Sequence, residues 1–273
     1  FCQVFRQEKF SNNYLYQRRN ILKIVVCVKV VPDSAATLVA ENGQPSWGDA
    51  PLVINPWDEY AVEAALNMGG DVTVISMGDE SAKEATKHAL AMGCNEAILI
   101  SDPALSTIDT QGTAKVLAAA IQKIGDVDMV FFGKQAIDGD SGITPAQTAR
   151  VLGYPALTLA SSIEVDGSNV KVERSIEEGS QTVSAALPAV FSLVKEYGEP
   201  RYPSFMGIRK ASRAQVPVWD LAELGIEAPT PAVTIEGIEN PPARDVSIEM
   251  IEGGSPTEIA EKLADKIMAE KIL

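Results

Sequence analysis

One stretch of the chain, GKQAIDGDSGITPAQT from Gly133 to Thr148, concentrates side-chain oxygens and small residues in front of a helix signal. Asp138, Gly139, Asp140, Ser141 and Gly142 precede Thr144-Pro145, and the proline suits the first helical turn. A helix start offers unpaired N–H groups and a partial positive charge, so a phosphate can sit there without a basic side chain. Gly139 and Gly142 let the backbone turn and approach a ligand closely. Two carboxylates beside a phosphate would repel it, which leaves Asp138 and Asp140 to hold ribose hydroxyls or to tie down the loop. A plain capped loop uses the same residue types, and on these residues alone both readings stay open.

Other chemistry has little raw material. Three cysteines (Cys2, Cys27, Cys94), none in a CxxC pair, and the single histidine His88 give no disulfide framework, metal cage or histidine-based triad. No metal site and no catalytic residue is therefore expected; Cys27 and Cys94 read as small packing residues and His88 as a solvated helix residue. Neither GxxxxGK[ST] nor GxGxxG follows the first strand, which weakens a nucleoside triphosphatase or a standard dinucleotide dehydrogenase. The net charge of −14, with no basic stripe, argues against nucleic acid or anionic lipid as a partner. No apolar run approaches the ~20 residues of a membrane span.

The elements that must position these groups follow from periodicity. KIVVCVKVV from Lys23, DVTVISM (Asp71 to Met77), EAILIS (Glu96 to Ser101) and VDMVFFG (Val127 to Gly133) are continuous apolar runs of strands buried on both faces. Helical patterns alternate with them: Trp57 to Met68, opened by Asn55-Pro56 with Asp58 and Glu59 in the first turn as the dipole prefers, then Glu80 to Met92, Thr110 to Ile124 and Thr144 to Leu152. Four such units predict an open, mostly parallel, doubly wound sheet with helices on both faces. Ligands bind such sheets beyond the carboxyl ends of the strands, where the winding reverses. The four exits are Cys27 to Pro32, Ser76 to Asp79, Ser101 to Pro103, and the stretch opening at Gly133.

After Tyr154 short alternating runs take over. ALTLASSIEV, NVKVERSI, SQTVSAAL and AVFSLVK, with turns at Asp166-Gly167 and Glu178-Gly179, predict an antiparallel set at the sheet edge. One α/β domain is thus expected over 23–195. The proline-rich segment 196–273 reads as an extended arm carrying one amphipathic helix, with Ser255 as N-cap, Pro256 at its first position and the stripe Ile259, Leu263, Ile267. An isolated helix of that length must dock on its own domain or on a partner. Residues 1–22, basic through Arg6, Lys9, Arg18 and Arg19, read as a disordered or non-native extension, with a targeting presequence as the lesser reading.

Together these residues resemble the β subunit of the electron transfer flavoproteins (the FixA family), whose sheet is of the adenine-nucleotide α-hydrolase-like type. The resemblance rests on KIVVCVKVVPD, VINPWDEYAVEAAL, HALAMG, GKQAIDGDSG and EPRYPSFMGIRKA, in that order, and covers nearly all of Lys23 to Leu273. It implies an electron carrier, not an enzyme in its own right. The carrier pairs with an α subunit that holds most of a redox FAD. It takes electrons from dehydrogenases such as acyl-CoA dehydrogenases and delivers them to a quinone reductase or another acceptor. It further implies an adenine nucleotide, AMP or a second FAD, in a crevice lined by Cys27, Asn55, Met77, Ala136, Asp138, Ser141, Gly142, Ile143 and Thr144. The AMP-binding branch carries NQT where this chain has Gly142-Ile143-Thr144, and the bifurcating branch carries DGDTAQVGP. This chain shares the DGD of the second and the threonine of the first, so the nucleotide stays open between the two.

In EPRYPSFMGIRKA the resemblance makes Phe205 the anchor for a dehydrogenase pocket, with Met206 beside it and Arg201, Arg209 and Lys210 as an electrostatic rim. An aromatic among prolines and cations is itself a sensible binding plug, the alternative being that Phe205 packs back on its own sheet. After Arg174, where several members carry a glutamate facing the mobile flavin domain, stands Ser175, so that salt bridge is not carried over. The resemblance places the protein in a bacterial or archaeal cytoplasm, with the mitochondrial matrix as the lesser reading. A competing class, the free-standing adenine-nucleotide-binding proteins of the universal-stress or ATP-pyrophosphatase type, calls for SGGxDS or a similar phosphate loop at the first exit. Val31-Pro32-Asp33-Ser34 stands there instead.

Overall fold

The computed structural model describes residues 21–242 and 248–271. The expectation for the N-terminal extension lies outside the described residues up to position 20, and Leu22 already belongs to the first strand. β1 (Leu22–Cys27) is the hub, because it pairs in parallel with β6 (Gly70–Met77) on one side and with β8 (Met129–Gly133) on the other. β7 (Glu96–Ile100) extends the sheet beyond β6. Helix α1 (Pro56–Met68) links β1 toward β6, and α2 (Lys83–Met92) links β6 to β7. Ala61, Ala64, Ala85 and Ala89 of these helices pack with Ile24 and Val26 on one face. α3 (Thr110–Ile124) then returns the chain to β8 across the opposite face, where Leu117 and Ile121 join Val25 and Cys27. The winding therefore reverses between β1 and β8, and the carboxyl ends Cys27 and Gly133 flank the gap, as a doubly wound sheet requires.

The apolar run from Lys23 does not form one strand. It breaks at Val28-Lys29, where Val28 N–H is donated to the Ile75 carbonyl and Lys29 N–H to the buried carboxylate of Asp58 at 2.7 Å. The second half, β2 (Val30–Pro32), pairs instead with β5 (Leu52–Ile54) in a separate ribbon, and a small hairpin, β3 (Val39–Glu41) with β4 (Gln44–Ser46), stands outside the main sheet. Apolarity alone did not mark the break, because the side chains on both halves are similar and a hydrogen bond to a distant helix makes the difference.

The expected antiparallel set is only partly antiparallel. β9 (Ala156–Asp166), β10 (Asn169–Ile176) and β11 (Gly179–Ala186) form the hairpins, with Gly167 (φ +59°) and Gly179 (φ +132°) in their turns. β12 (Ala189–Leu193) is not part of this antiparallel set. It lies between β8 and β9, parallel to both, and all five of its residues are buried. An apolar run broken only by Ser192, whose buried hydroxyl accepts from the Leu159 N–H, is the signature of a strand covered on both faces, and Phe191 stacks on Phe131 of β8 with ring centroids 5.0 Å apart. A tertiary slot, not the hairpin turns, sets its direction.

Not all of 196–273 leaves the body of the fold. β13 (Val218–Trp219) adds a parallel edge strand to β7, and the capped turn α6 (Leu221–Leu224) buries Leu221 and Leu224 in the cluster under α3. Asp220 and Glu223 close a reciprocal capping box there. Seven residues are too few to show a period against the prolines around them. From about Glu227 the chain is extended over the surface. It is clipped by Asp109, whose carboxylate accepts from the Ala232 and Val233 N–H groups, and by Asn240, whose amide bonds both the N–H and the carbonyl of Ala40.

Candidate nucleotide crevice and partner-facing helix

The loop after β8 leads into α4 (Thr144–Leu152), whose bounds match the sequence pattern. No side chain caps this helix start, so its first N–H groups remain available at the mouth of the gap. Asp138, Gly139, Asp140, Ser141, Gly142 and Ile143 are exposed there, Ala136 and Thr144 half-buried. Gly142 has φ +62°, a left-handed turn that suits glycine, whereas Gly139 borders open space. Cys27 and Met77, at the carboxyl ends of β1 and β6, belong to the apolar cluster that Ala149 of α4 completes. The gap at the switch point thus has apolar side chains at the strand ends and the uncapped start of α4 beside it. That arrangement suits an adenine ring and a phosphate.

Two of the expected ligand residues, Asn55 and Asp138, hold the loop, as does Asp140. Asn55 is fully buried: its amide donates to the Gln135 carbonyl at 2.8 Å, and its side-chain oxygen accepts from the Ile137 N–H at 3.1 Å. Asp138 is ion-paired to Lys29 across the gap at 2.6 Å, and Asp140 accepts from the Gln135 side-chain amide. Both carboxylates thus brace the loop. Burial, with the nearby Asp58 carboxylate, pushes the Cys27 thiol well above its ordinary range, so it serves as neutral packing. His88 is not freely solvated, since its Nε2 lies 2.8 Å from the Glu59 carboxylate and links α2 to α1. No group of His, Cys, Asp or Glu among the described residues is arranged to hold a metal ion.

Asp58 is the residue that sequence reasoning missed. Its position suits an ordinary first-turn acid, yet it is buried, accepting the Lys29 N–H just past the end of β1 and standing against Gly133 at the end of β8. The Gly133 backbone and the Asn55 side chain favour its charged form through these contacts and bonds. Desolvation dominates these bonds and pushes its carboxyl up to about 7.

At the other end of α2 lies the short helix α5 (Phe205–Ala211), capped by Ser204, whose hydroxyl accepts from Gly207 N–H. Phe205 is 81% exposed and Met206 68%, with Tyr202 and Ile208 exposed beside them, so Phe205 does not pack back on the sheet. Arg209 and Lys210 are exposed on the same helix. Arg201 departs from the expected rim: it is bonded through its backbone N–H (3.0 Å) and guanidinium (2.7 and 3.0 Å) to Glu63 of α1, which it tethers to the loop. Burial alone would raise the Glu63 carboxyl, but the Arg201 hydrogen bonds outweigh it and hold the group below the ordinary carboxylate range. A depressed carboxylate stabilises the fold at neutral pH and loses that contribution as the pH falls through its lowered value. Glu63→Gln should therefore lower stability by about 1–2 kcal/mol at pH 7, with the half-exposed guanidinium allowed for, and by progressively less on acidification. Thermal melts from pH 7 to pH 3 check this. Beyond α5, Arg174 bonds Thr158 and Gln181, and Ser175 follows it in β10.

A doubly wound sheet with an uncapped helix start at its switch point, and an exposed apolar pair on a short helix elsewhere on its surface, defines a protein of the doubly wound α/β class. The family model that matches is the electron transfer flavoprotein domain, over residues 48–224. The chain is 34% identical to electron transfer flavoprotein subunit beta of Megasphaera elsdenii, with 92% of this chain and 100% of that one covered. It is 34% identical, at the same coverage, to the caffeyl-CoA reductase-Etf complex subunit CarD of Acetobacterium woodii. Against protein FixA of Azorhizobium caulinodans the identity is 37%, over 76% of this chain and 78% of that one. The chain belongs to the electron transfer flavoprotein family, on its β-subunit (FixA) branch. No helix among the described residues is long and apolar enough to cross a membrane.

Proposed function

We propose that the protein is the β half of a heterodimeric electron carrier, holding an adenosine phosphate in its own crevice while an α partner holds most of a redox FAD. The observation that carries this is the uncapped start of α4 facing the gap between β1 and β8, with Cys27 and Met77 as apolar floor. The N–H groups of the α4 start would take the phosphate; Ser141, Gly142, Ile143 and Thr144 would surround it. The crevice residues fit such a group without a metal. When bound, the partner's FAD supplies the electron chemistry, and this chain supplies position and contact.

The donor is a dehydrogenase of the acyl-CoA type, docked on Phe205 and Met206 with Arg209 and Lys210 around them. The likeness to a subunit of a caffeyl-CoA reductase complex supports that class. The acceptor is a quinone reductase or a carrier of similar potential, and the pair works in the cytoplasm of a bacterium or archaeon. The surface arm and α7 (Pro256–Ala269) wrap the α partner. No residue of α7 is buried, and Ile259 and Leu263, one face of the expected stripe, stand 37% and 46% exposed. An amphipathic helix with that face uncovered is a partner surface.

Flavin and AMP content of the purified heterodimer tests the reading. One FAD and one AMP per pair are expected if the crevice takes AMP, and two FAD if it takes the second flavin. A pair with one FAD and no adenine nucleotide released on denaturation would sink the crevice assignment.

A further inference from the structure

We infer that Asp58 is the positioning residue of the crevice: its carboxylate pins the exits of β1 and β8 together, and nucleotide retention depends on that pin being ionised. The inference rests on the nucleotide reading above and adds the device that holds the site in shape. The geometry is unusual for a first-turn acid. Instead of lying in solvent near the dipole, Asp58 is buried, accepting the Lys29 N–H at 2.7 Å from the strand on one side of the gap. On the other side of the gap the carboxylate stands against Gly133 at the end of β8, and the Gly133 backbone and the Asn55 side chain both favour its ionised form. Where a Gly133 side chain would begin, Asp58 Oδ1 and the Trp57 backbone already stand. Asn55, bonded to Asp58, in turn shapes the loop through Gln135 and Ile137. One carboxylate thus links both strand ends and, through a neighbour, the loop.

Every partner of that carboxylate is a donor. A proton added to it finds no acceptor and must displace one of the N–H bonds, which frees one lip of the gap. The charged and titratable groups around it offset its burial only in part: the Lys29 ammonium favours the ionised form, but desolvation outweighs it. Lys29 turns its ammonium to Asp138, the Cys27 thiol is held neutral, and Glu59 on the same helix pairs with His88 of α2. With the carboxyl raised to about 7, the switch between the two forms falls near neutral pH.

The test uses the nucleotide-stripped heterodimer, with AMP and, separately, FAD as probes, in wild type and Asp58→Asn. Between pH 8 and pH 6 the wild type should lose about three- to tenfold in affinity beyond any change in the variant, the scale of one hydrogen bond. The protection factors of the Lys29 and Gly133 amides in the wild type, taken against the intrinsic base-catalysed rate at each pH, should fall over the same range, and a protonated-carboxyl infrared band should titrate there and be missing from the variant. These wild-type readouts decide the matter even if the variant fails to fold. Parallel pH curves for the two proteins, or unchanged amide protection factors, overturn the role of Asp58. No binding of either probe by wild type at any pH overturns the nucleotide reading itself, and this inference with it.

Discussion

Replacing Gly133 with alanine should destabilise the protein by about 3 kcal/mol, the upper range for overpacking a tight site, and leave the purified heterodimer without its crevice nucleotide. The β-carbon would lie 2.6 and 2.7 Å from the carbonyl carbon and oxygen of Trp57, besides meeting the Asp58 carboxylate. Those atoms are helix backbone and a buried staple, so neither can swing aside as the end of a lysine could. Either α1 lifts from the end of β8 or the strand end bends, and both change the gap. For a domain of this size the melting temperature should fall by roughly 6–12 °C. Gly139→Ala is the matched control: nothing lies within 4 Å of its added carbon, and stability should stay within about 0.5 kcal/mol. Melting curves and nucleotide content of both variants decide the point. A Gly133→Ala protein that melts with wild type and keeps its nucleotide would show that α1 does not clamp the strand end.

Phe205→Ala should reduce the efficiency of electron uptake from the donor dehydrogenase about thirtyfold, the equivalent of roughly 2 kcal/mol at a binding hot spot. Flavin content and melting temperature should not move, because the side chain is 81% exposed and supports nothing in its own chain. Gly207→Ala should produce a comparable loss by another route. Its added carbon would run into the backbone of Ala91, so α5 must shift on α2 and carry Phe205 out of place. Steady-state reduction by the donor, with flavin absorbance as the readout, separates these cases. Unchanged rates in Phe205→Ala would remove it as the anchor, and an effect in Gly207→Ala alone would move the contact elsewhere on α5.

Much of the scaffold was legible because its signals are local. The bounds of α3 and α4 follow from apolar spacing and from Thr110 and Thr144-Pro145, and the glycine turns of β9, β10 and β11 follow from a conformation that glycine adopts freely. The loop after β8 stood out for the same reason: helix starts and small residues advertise themselves over a few positions. Its inner workings did not. Asp138 and Asp140 read locally only as ribose-binding or loop-bracing carboxylates, and the lysine that pairs with Asp138 lies 109 residues earlier in the chain.

What the sequence determined by itself is the alternation of strand and helix, the helix start that follows the small-residue loop after β8, and the apolar pair Phe205-Met206. Each depends on the chemistry of neighbouring residues. Tertiary structure alone decided that the run from Lys23 breaks at Lys29, that β12 slots in parallel beside β8, that Arg201 belongs to Glu63 at a separation of 138 residues, and that Asp58 staples two strand ends. The physical reason is common to all four. A buried donor or carboxylate must find its partner wherever packing brings one, and which surfaces meet is set by closing the whole sheet around β1 rather than by any local propensity.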